Sequence, residues 1–535
     1  METLRREQLD TDLVHLTDRK LPRPQRFAAS QGGMVSTAHF RATEAGAEIL
    51  REGGNAIDAA VAAAFALGVC EPAASGLGGQ TMMLVYLADQ RRTLAIDGSS
   101  RAPNGAMPGL VQKPERLHGY KATTVPSTPA VLGYALDQYG KLDLERVLGP
   151  SIHLAEEGYP ITMLQHLLTR RDVKKLRAGS AAPFFLKDGT RPHPPGTVFR
   201  QPVLAKTLRR LSRHGVDDFY TGAIARKIHE DMVRNGGLVR REDLAQIPMP
   251  IERRPVSGRL GGMRILTFPP PGAGRTLVEM LNIHEQIPPA FRDLDTPEGA
   301  VVLAETIRRA FLDRQDRPFD PNYFAQVSGG RMLKPEYAKD VARQIAKRVK
   351  TKGETTHLSV MDREGNIVAL TQSIERVYGS CSASPDLGFC YNNYMSAFEH
   401  EDISHPYYLR PNAVPWASVA PTIVFRGRRP WAALGSPGSA RITSSIFQVL
   451  VRLQTQGPFA AVEAPRMHCS LSGRVSLEQS RMRDDVPDRL RRFGFDIDER
   501  DPYSFYLGCV QLVLREKNEF IGVADPRRDG SASGP

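Results

Sequence analysis

Residues 355–373, TTHLSVMDREGNIVALTQS, place two alternating runs on either side of a polar turn. Leu358 and Val360 precede DREGN, Val368 and Leu370 follow it, and polar residues fall between them. That period of two predicts a β-hairpin. Closing it symmetrically about Glu364 pairs Asp362 with Asn366, and the same register sets Thr355 opposite Ser373. Two hydroxyls would then face each other across the ladder, within hydrogen-bonding reach. Thr and Ser suit strands for ordinary reasons too, so the pair alone does not establish chemistry.

The rest of the chain decides what such a hairpin packs against. From MVSTAHF the pattern predicts a strand followed by two helices. Ala42–Arg51 has helical spacing and stops at Gly53-Gly54, and the next helix starts at Asn55, a good capping residue. Its run AAVAAAFALGVC (59–70) is too short to span a bilayer and suits a tightly buried helix. GLGGQTMMLVYLADQRRTLAIDG then predicts a Gly-rich turn and two strands. The middle, about 120–350, reads as mostly helical, through ERVLGPSIHLAEEGYPI, PVLAKTLRRLSRHG, PEGAVVLAETIRRAFLDR and EYAKDVARQIAKRVK. Beyond residue 355 strands dominate, in PTIVFRGRRPWAALGS and YLGCVQLVLREKNEFIGVADPRRDG, with one helix at SARITSSIFQVLVRLQ. Strands in both parts with helices massed in the first predict a layered α+β fold rather than a βαβ series.

The 535 residues suffice for a large core, and 41% hydrophobic with 24% charged is ordinary globular composition. The net charge is +12, but acidic and basic residues interleave, with no block of like charge and no aromatic–basic pattern. This argues against a nucleic-acid partner and leaves a surface that helps attract an anionic substrate. Cys70, Cys381, Cys390, Cys469 and Cys509 are odd in number and scattered, with no C-x-x-C pair, so neither a zinc site nor a disulfide framework is expected. Residues 1–30 read as a polar leader without the apolar core of a secretory signal. No membrane partner is expected, and a cytoplasmic location is the default.

Five segments together carry a resemblance: GGNAIDAAVAAAFALGVCEPAASGLGG (53–79), TTHLSVMDREGNIVALTQS (355–373), GFCYNNYMSAF (388–398), APTIVFRGRRPWAALGSPGSARI (420–442) and DPRRDG (525–530). In this order and spacing they resemble the γ-glutamyltranspeptidase family of N-terminal nucleophile (Ntn) hydrolases, over about 30–535. The resemblance implies an α+β fold, a four-layer αββα sandwich forming one interleaved domain. A large-subunit-like segment would cover 31–354 and a small-subunit-like segment 355–535, parted by self-cleavage between Glu354 and Thr355 and held together as a heterodimer. The freed Thr355 would carry a nucleophilic Oγ and a base, its new α-amine, whose pKa of about 7.7–8.0 suits neutral pH. Ser373 stands where a family threonine orients the nucleophile, and Gly438 and Ser439, in the turn GSPGS, stand where a glycine pair forms the oxyanion hole. A small-molecule amide would be the substrate, with no cofactor and no metal.

The residues expected to hold a γ-glutamyl head group differ. Ser99 stands in place of the family arginine, with Arg101 two residues on. Glu375 replaces an asparagine, Tyr394 and Ala397 replace a glutamine and an aspartate, and Ala417-Ser418 stands where a serine pair is expected. The substrate-binding candidates are therefore Arg101, Glu375, Tyr394 and Ser418. A buried ammonium without its counter-charge is costly, so the machinery reads as kept and the recognition as changed. Three readings follow: an Ntn amidohydrolase or acyltransferase acting on an N-acyl or dicarboxylic amide other than glutathione, a true glutathione hydrolase, or a silent single-chain binding relative.

Overall fold

The computed structural model describes residues 25–247, 250–316, 337 and 355–535. The bond between residues 354 and 355, the cleavage candidate Glu354 and the segment expected to form a helix before it lie outside these residues. Two seven-stranded sheets form the centre. One runs Ser531–Ser533, Gly33–Thr37, Thr356–Asp362, Ile367–Ser373, Gln80–Leu87, Arg92–Gly98 and Ile251–Arg253 from edge to edge. The other runs Phe27–Ser30, Glu519–Ala524, Gln511–Glu516, Arg429–Gly435, Thr422–Arg426, Met263–Thr267 and Val256–Leu260. Both sheets combine strands from before and after residue 355, so the two segments are one interleaved body.

The hairpin is central, not marginal, and its periodicity shows why. Thr356, Leu358 and Val360 turn outward, where Leu358 and Val360 join a core with the helices Phe40–Arg51 and Ala56–Cys70. His357, Ser359 and Met361 turn inward, and Met361 packs with Ile423, Phe425 and Val513 of the other sheet. Helices Gly274–Gln286, Pro297–Asp316 and Arg441–Arg452 cover that sheet's far side. The layers are thus helix, sheet, sheet, helix, as expected. Strand residues that read as a polar face are buried because a second sheet, not water, lies against them.

The Ala-rich helix fits its place for a steric reason. Small side chains let it lie close under the hairpin, where Gln372 Nε2 donates to the Ala64 carbonyl at 3.0 Å. Asn55 caps it in a box with Asp58, and Asp362 of the hairpin turn accepts the Ala56 N–H at 2.8 Å. Its other end delivers Glu71, whose carboxylate takes Thr356 Oγ1 at 2.5 Å and Arg528 Nη1 at 2.8 Å. The helix therefore grips the hairpin at the turn and again beside Thr355.

Two expectations change. The supposed leader 1–30 yields its last four residues to the second sheet, where Phe27–Ser30 pairs with Phe520–Val523. The helical middle also contains strands, the hairpin Val256–Leu260 and Met263–Thr267. Its signal is GRLGGMRIL, a double-glycine turn in which Gly261 and Gly262 both adopt positive φ. The five cysteines are buried free thiols.

Candidate functional site

The observed register pairs Thr356 with Gln372 and Met361 with Ile367, and Asp362 N–H donates to the Asn366 carbonyl at 3.1 Å. Carried one residue further, it sets Thr355 opposite Ser373, as the hairpin argument expected. The next strand pairs Ser373 with Gln80, and the one beyond pairs Thr81 with Gly98, which brings Ser99 to the end of the row. Thr355, Ser373, Gln80 and Ser99 thus form one line across the sheet on the face toward the second sheet. Thr355 is 4% and Ser373 1% exposed.

Below this line lies His357, wholly buried between the sheets. Ser359 Oγ donates to the Gln511 carbonyl, so it accepts from His357 Nε2 at 3.1 Å, which leaves Nδ1 to accept from Thr371 Oγ1 at 2.8 Å. Burial pulls its pKa down to about 3, so the ring is neutral. The end of strand Arg429–Gly435 rests on this ring. A Cβ on Gly435 would lie 2.2 Å from His357 Cε1, so only glycine permits the approach. Gly435→Ala is expected to lower stability by about 1–3 kcal/mol or more, read as the shift of the urea midpoint. A wild-type midpoint would show that the two sheets are not locked there.

His357 also predicts a pH response. Its folded pKa lies below the unfolded value of about 6.5, so its contribution is full above that pH and is lost as pH falls toward 3. The stability gap between the parent and His357→Gln should therefore narrow by about 1.4 kcal/mol per pH unit below about pH 6. Urea titrations at several pH values check this, and a constant gap refutes it.

Just past Gly435 the chain makes the turn that holds Gly438 and Ser439, both at positive φ (117° and 54°), before helix Arg441–Arg452. A left-handed serine costs on the order of 1 kcal/mol, and the turn leads straight into the helix, the Gly438 and Ser439 carbonyls accepting the Arg441 and Ile442 N–H groups at 3.0 and 2.9 Å. The contact of Gly435 with His357 puts this turn at the Thr355 end of the hairpin.

On the other side, Ser373 Oγ accepts the Glu375 N–H at 2.8 Å and lies beside the Tyr394 hydroxyl. Glu375 is half-buried with φ 76°. Tyr394 is 1% exposed, and its pKa is raised, first by burial and then by the nearby Glu375 charge. Its turn is held from below by Met395 and Phe398, which pack with Ala102, Val111 and Leu409. Thr355, Ser373, Glu375 and Tyr394 are thus brought together.

Arg101 and Ser418 are placed differently. Arg101 lies past the end of the row, its Nη1 donating to the Asn412 carbonyl at 3.4 Å. It lines a cavity of about 210 Å³ with Asp97, Ser99 and Arg253. Ser418 is half-buried in a segment without regular secondary structure, anchored by the Ala417 N–H to the Pro271 carbonyl and the Ala273 N–H to the Val419 carbonyl. No hydrogen bond among the described residues joins Ser418 to the hairpin. Gln80 was missed in the sequence. Its signal was a polar residue at the head of the otherwise mostly apolar strand QTMMLVYL, in phase with inward-facing Met82, Leu84 and Tyr86.

Among the described residues no helix is long and apolar enough to cross a membrane. The family model described as Gamma-glutamyltranspeptidase matches residues 42–535. The chain is 34% identical to the glutathione hydrolase proenzyme of Bacillus subtilis (strain 168), over 94% of this chain and 91% of that one. It is also 34% identical to the acylase ACY 1 proenzyme of Pseudomonas sp. (strain SE83), over 85% of each. In structure it superposes on the cephalosporin acylase of Bacillus halodurans with a TM-score of 0.88 and 28% identity, covering 97% of this chain and 98% of that one. With its αββα layers and a threonine opening the central hairpin, this chain belongs to the γ-glutamyltranspeptidase family and is an Ntn-type amide hydrolase or acyltransferase.

Proposed function

We propose that the chain is a self-processing N-terminal-threonine amidohydrolase or acyltransferase whose acyl group is not γ-glutamyl, an N-acyl or dicarboxylic amide. The observation that carries this reading is the hydroxyl pair at the head of the hairpin, Thr355 opposite Ser373, buried on the inner face at the end of the hairpin where Gly435 meets His357. In processing, Thr355 Oγ attacks the Glu354 carbonyl and an ester replaces the peptide bond. Water then opens it, giving a Glu354 carboxylate and a free Thr355 amine. In turnover the amine takes the Oγ proton as Oγ attacks the substrate carbonyl. The N–H groups of Gly438 and Ser439 receive the developing oxyanion. The C–N bond breaks, the leaving amine collects the proton, and water or a second amine resolves the ester. Ser373 orients Oγ, held in turn by the Glu375 N–H and Tyr394.

Ser99 and Ala397 support the changed substrate, since neither supplies the charge that a zwitterionic head group needs. One observation favours a second reading, γ-glutamyl hydrolysis: the Glu375 charge reaches Tyr394 and offers an ammonium a partner from another direction. The denatured mass of freshly purified protein tests the shared core of both. Two fragments meeting at Glu354/Thr355 support it, and one intact chain with no amidase activity overturns it.

A further inference from the structure

Gln80 lies in the row of the nucleophile, next to Ser373, and is 2% exposed. Its Oε1 accepts the Ser100 N–H at 2.9 Å, which fixes the orientation of the amide and commits Nε2 to the other direction. Nε2 is enclosed and reaches no acceptor. It stands beside the Tyr394 hydroxyl without the geometry of a hydrogen bond to it. A buried N–H left unsatisfied is costly, and a partner supplied by a bound molecule removes that cost. The Tyr394 hydroxyl lies beside both Gln80 and Ser373, so the two groups stand next to the residue opposite the nucleophile.

The spacing gives the partner a size. Thr355 and Gln80 are two strands apart, so their Cα atoms are separated by roughly 10 Å. For side chains rising in parallel from one face, subtracting a hydrogen bond of about 2.9 Å leaves at most about 7 Å, the reach of a short acyl chain bonded at Thr355 Oγ. We propose that Gln80 Nε2, with Tyr394 beside it, determines specificity by donating to an acceptor oxygen near the far end of the acyl chain. This rests on the reading of Thr355 as nucleophile and adds the acyl chemistry. The oxygen could belong to a carboxylate or to a neutral ketone, and the Glu375 charge next to Tyr394 favours the ketone.

Three anilides of matched chain length separate the cases: 5-oxohexanoyl, glutaryl and hexanoyl, carrying a ketone, a carboxylate and no distal oxygen. Their acids serve as ligands in calorimetry on the same processed enzyme. The oxygen-bearing acids are expected to bind more tightly than hexanoate. Gln80→Leu should lower that preference on the order of 10- to 100-fold, and Tyr394→Phe should lower it less. The ratio of kcat/KM for the preferred oxo substrate to that for hexanoyl should fall with it. A merely structural role would reduce all three together and leave the ratio unchanged, which overturns the proposal, as does hexanoate binding as well as the others in the parent. Oxygen-selective binding with no turnover of any anilide would instead sink the catalytic reading and leave the subsite standing.

Discussion

Thr355→Ala is expected to give a single chain on a denaturing gel where the parent gives two fragments, and to lose amidase activity by at least about 10³-fold. The size follows from losing the hydroxyl, which leaves together with the γ-methyl. Without Oγ there is no attack on the Glu354 carbonyl, so the α-amine at 355 is never released and nucleophile and base disappear together. Thr355→Ser keeps the hydroxyl and should still cleave, separating loss of chemistry from misfolding. The alanine variant should also keep the parent's cooperative unfolding, because the change takes only Oγ and one methyl from the first residue of the hairpin and leaves Leu358, Val360 and Met361 packed on both faces of the strand. An intact parent chain, or an alanine variant that still divides at 354/355, would remove the basis for the mechanism.

The second large effect lies away from the site, in the motif DPRRDG. Arg527 is fully buried between two carboxylates, with Nη2 and Nε on Glu478 at 2.6 and 2.7 Å and Nη1 on Asp525 at 3.1 Å. Arg466 completes the group through Asp525 at 2.5 Å. Burial alone would raise the Asp525 pKa, but the Arg466 and Arg527 guanidiniums and two backbone N–H groups hold it below the ordinary carboxylate range. Arg527→Met removes one cation and strands buried negative charge, which costs about 3–5 kcal/mol. That is a large share of a typical stability of about 5–15 kcal/mol. Urea unfolding should show the loss. The Asp525 contribution is present above about pH 4 and lost as pH falls below it, so the gap to the parent should narrow in acid. A loss under about 1 kcal/mol would mean that Arg466 on Asp525 and Arg481, 2.9 Å from Glu478, suffice for the two carboxylates.

The same residues show how far the sequence reached. Alternation about DREGN was enough to pair Thr355 with Ser373, because a strand's period of two leaves one register once the turn is placed. The cap at Asn55 and the buried Ala-rich helix were legible for a similar reason, since local spacing and capping chemistry need no distant partner. Alternation could not say that the polar side of the hairpin faces another sheet, and that fact makes His357 neutral and Gly435 irreplaceable. Nor could it tell Arg101 from Glu375 or Tyr394, all equally plausible as candidates. Segments far apart in sequence carry Tyr394 to Ser373, Arg101 toward Asn412, and the amide of Gln80 into enclosure. What the sequence by itself determined was the register of the hairpin and the family motifs around it, because both follow from short-range geometry and order along the chain. Which side chains meet beside Thr355, and that Gln80 is one of them, only the packing of two interleaved sheets decided.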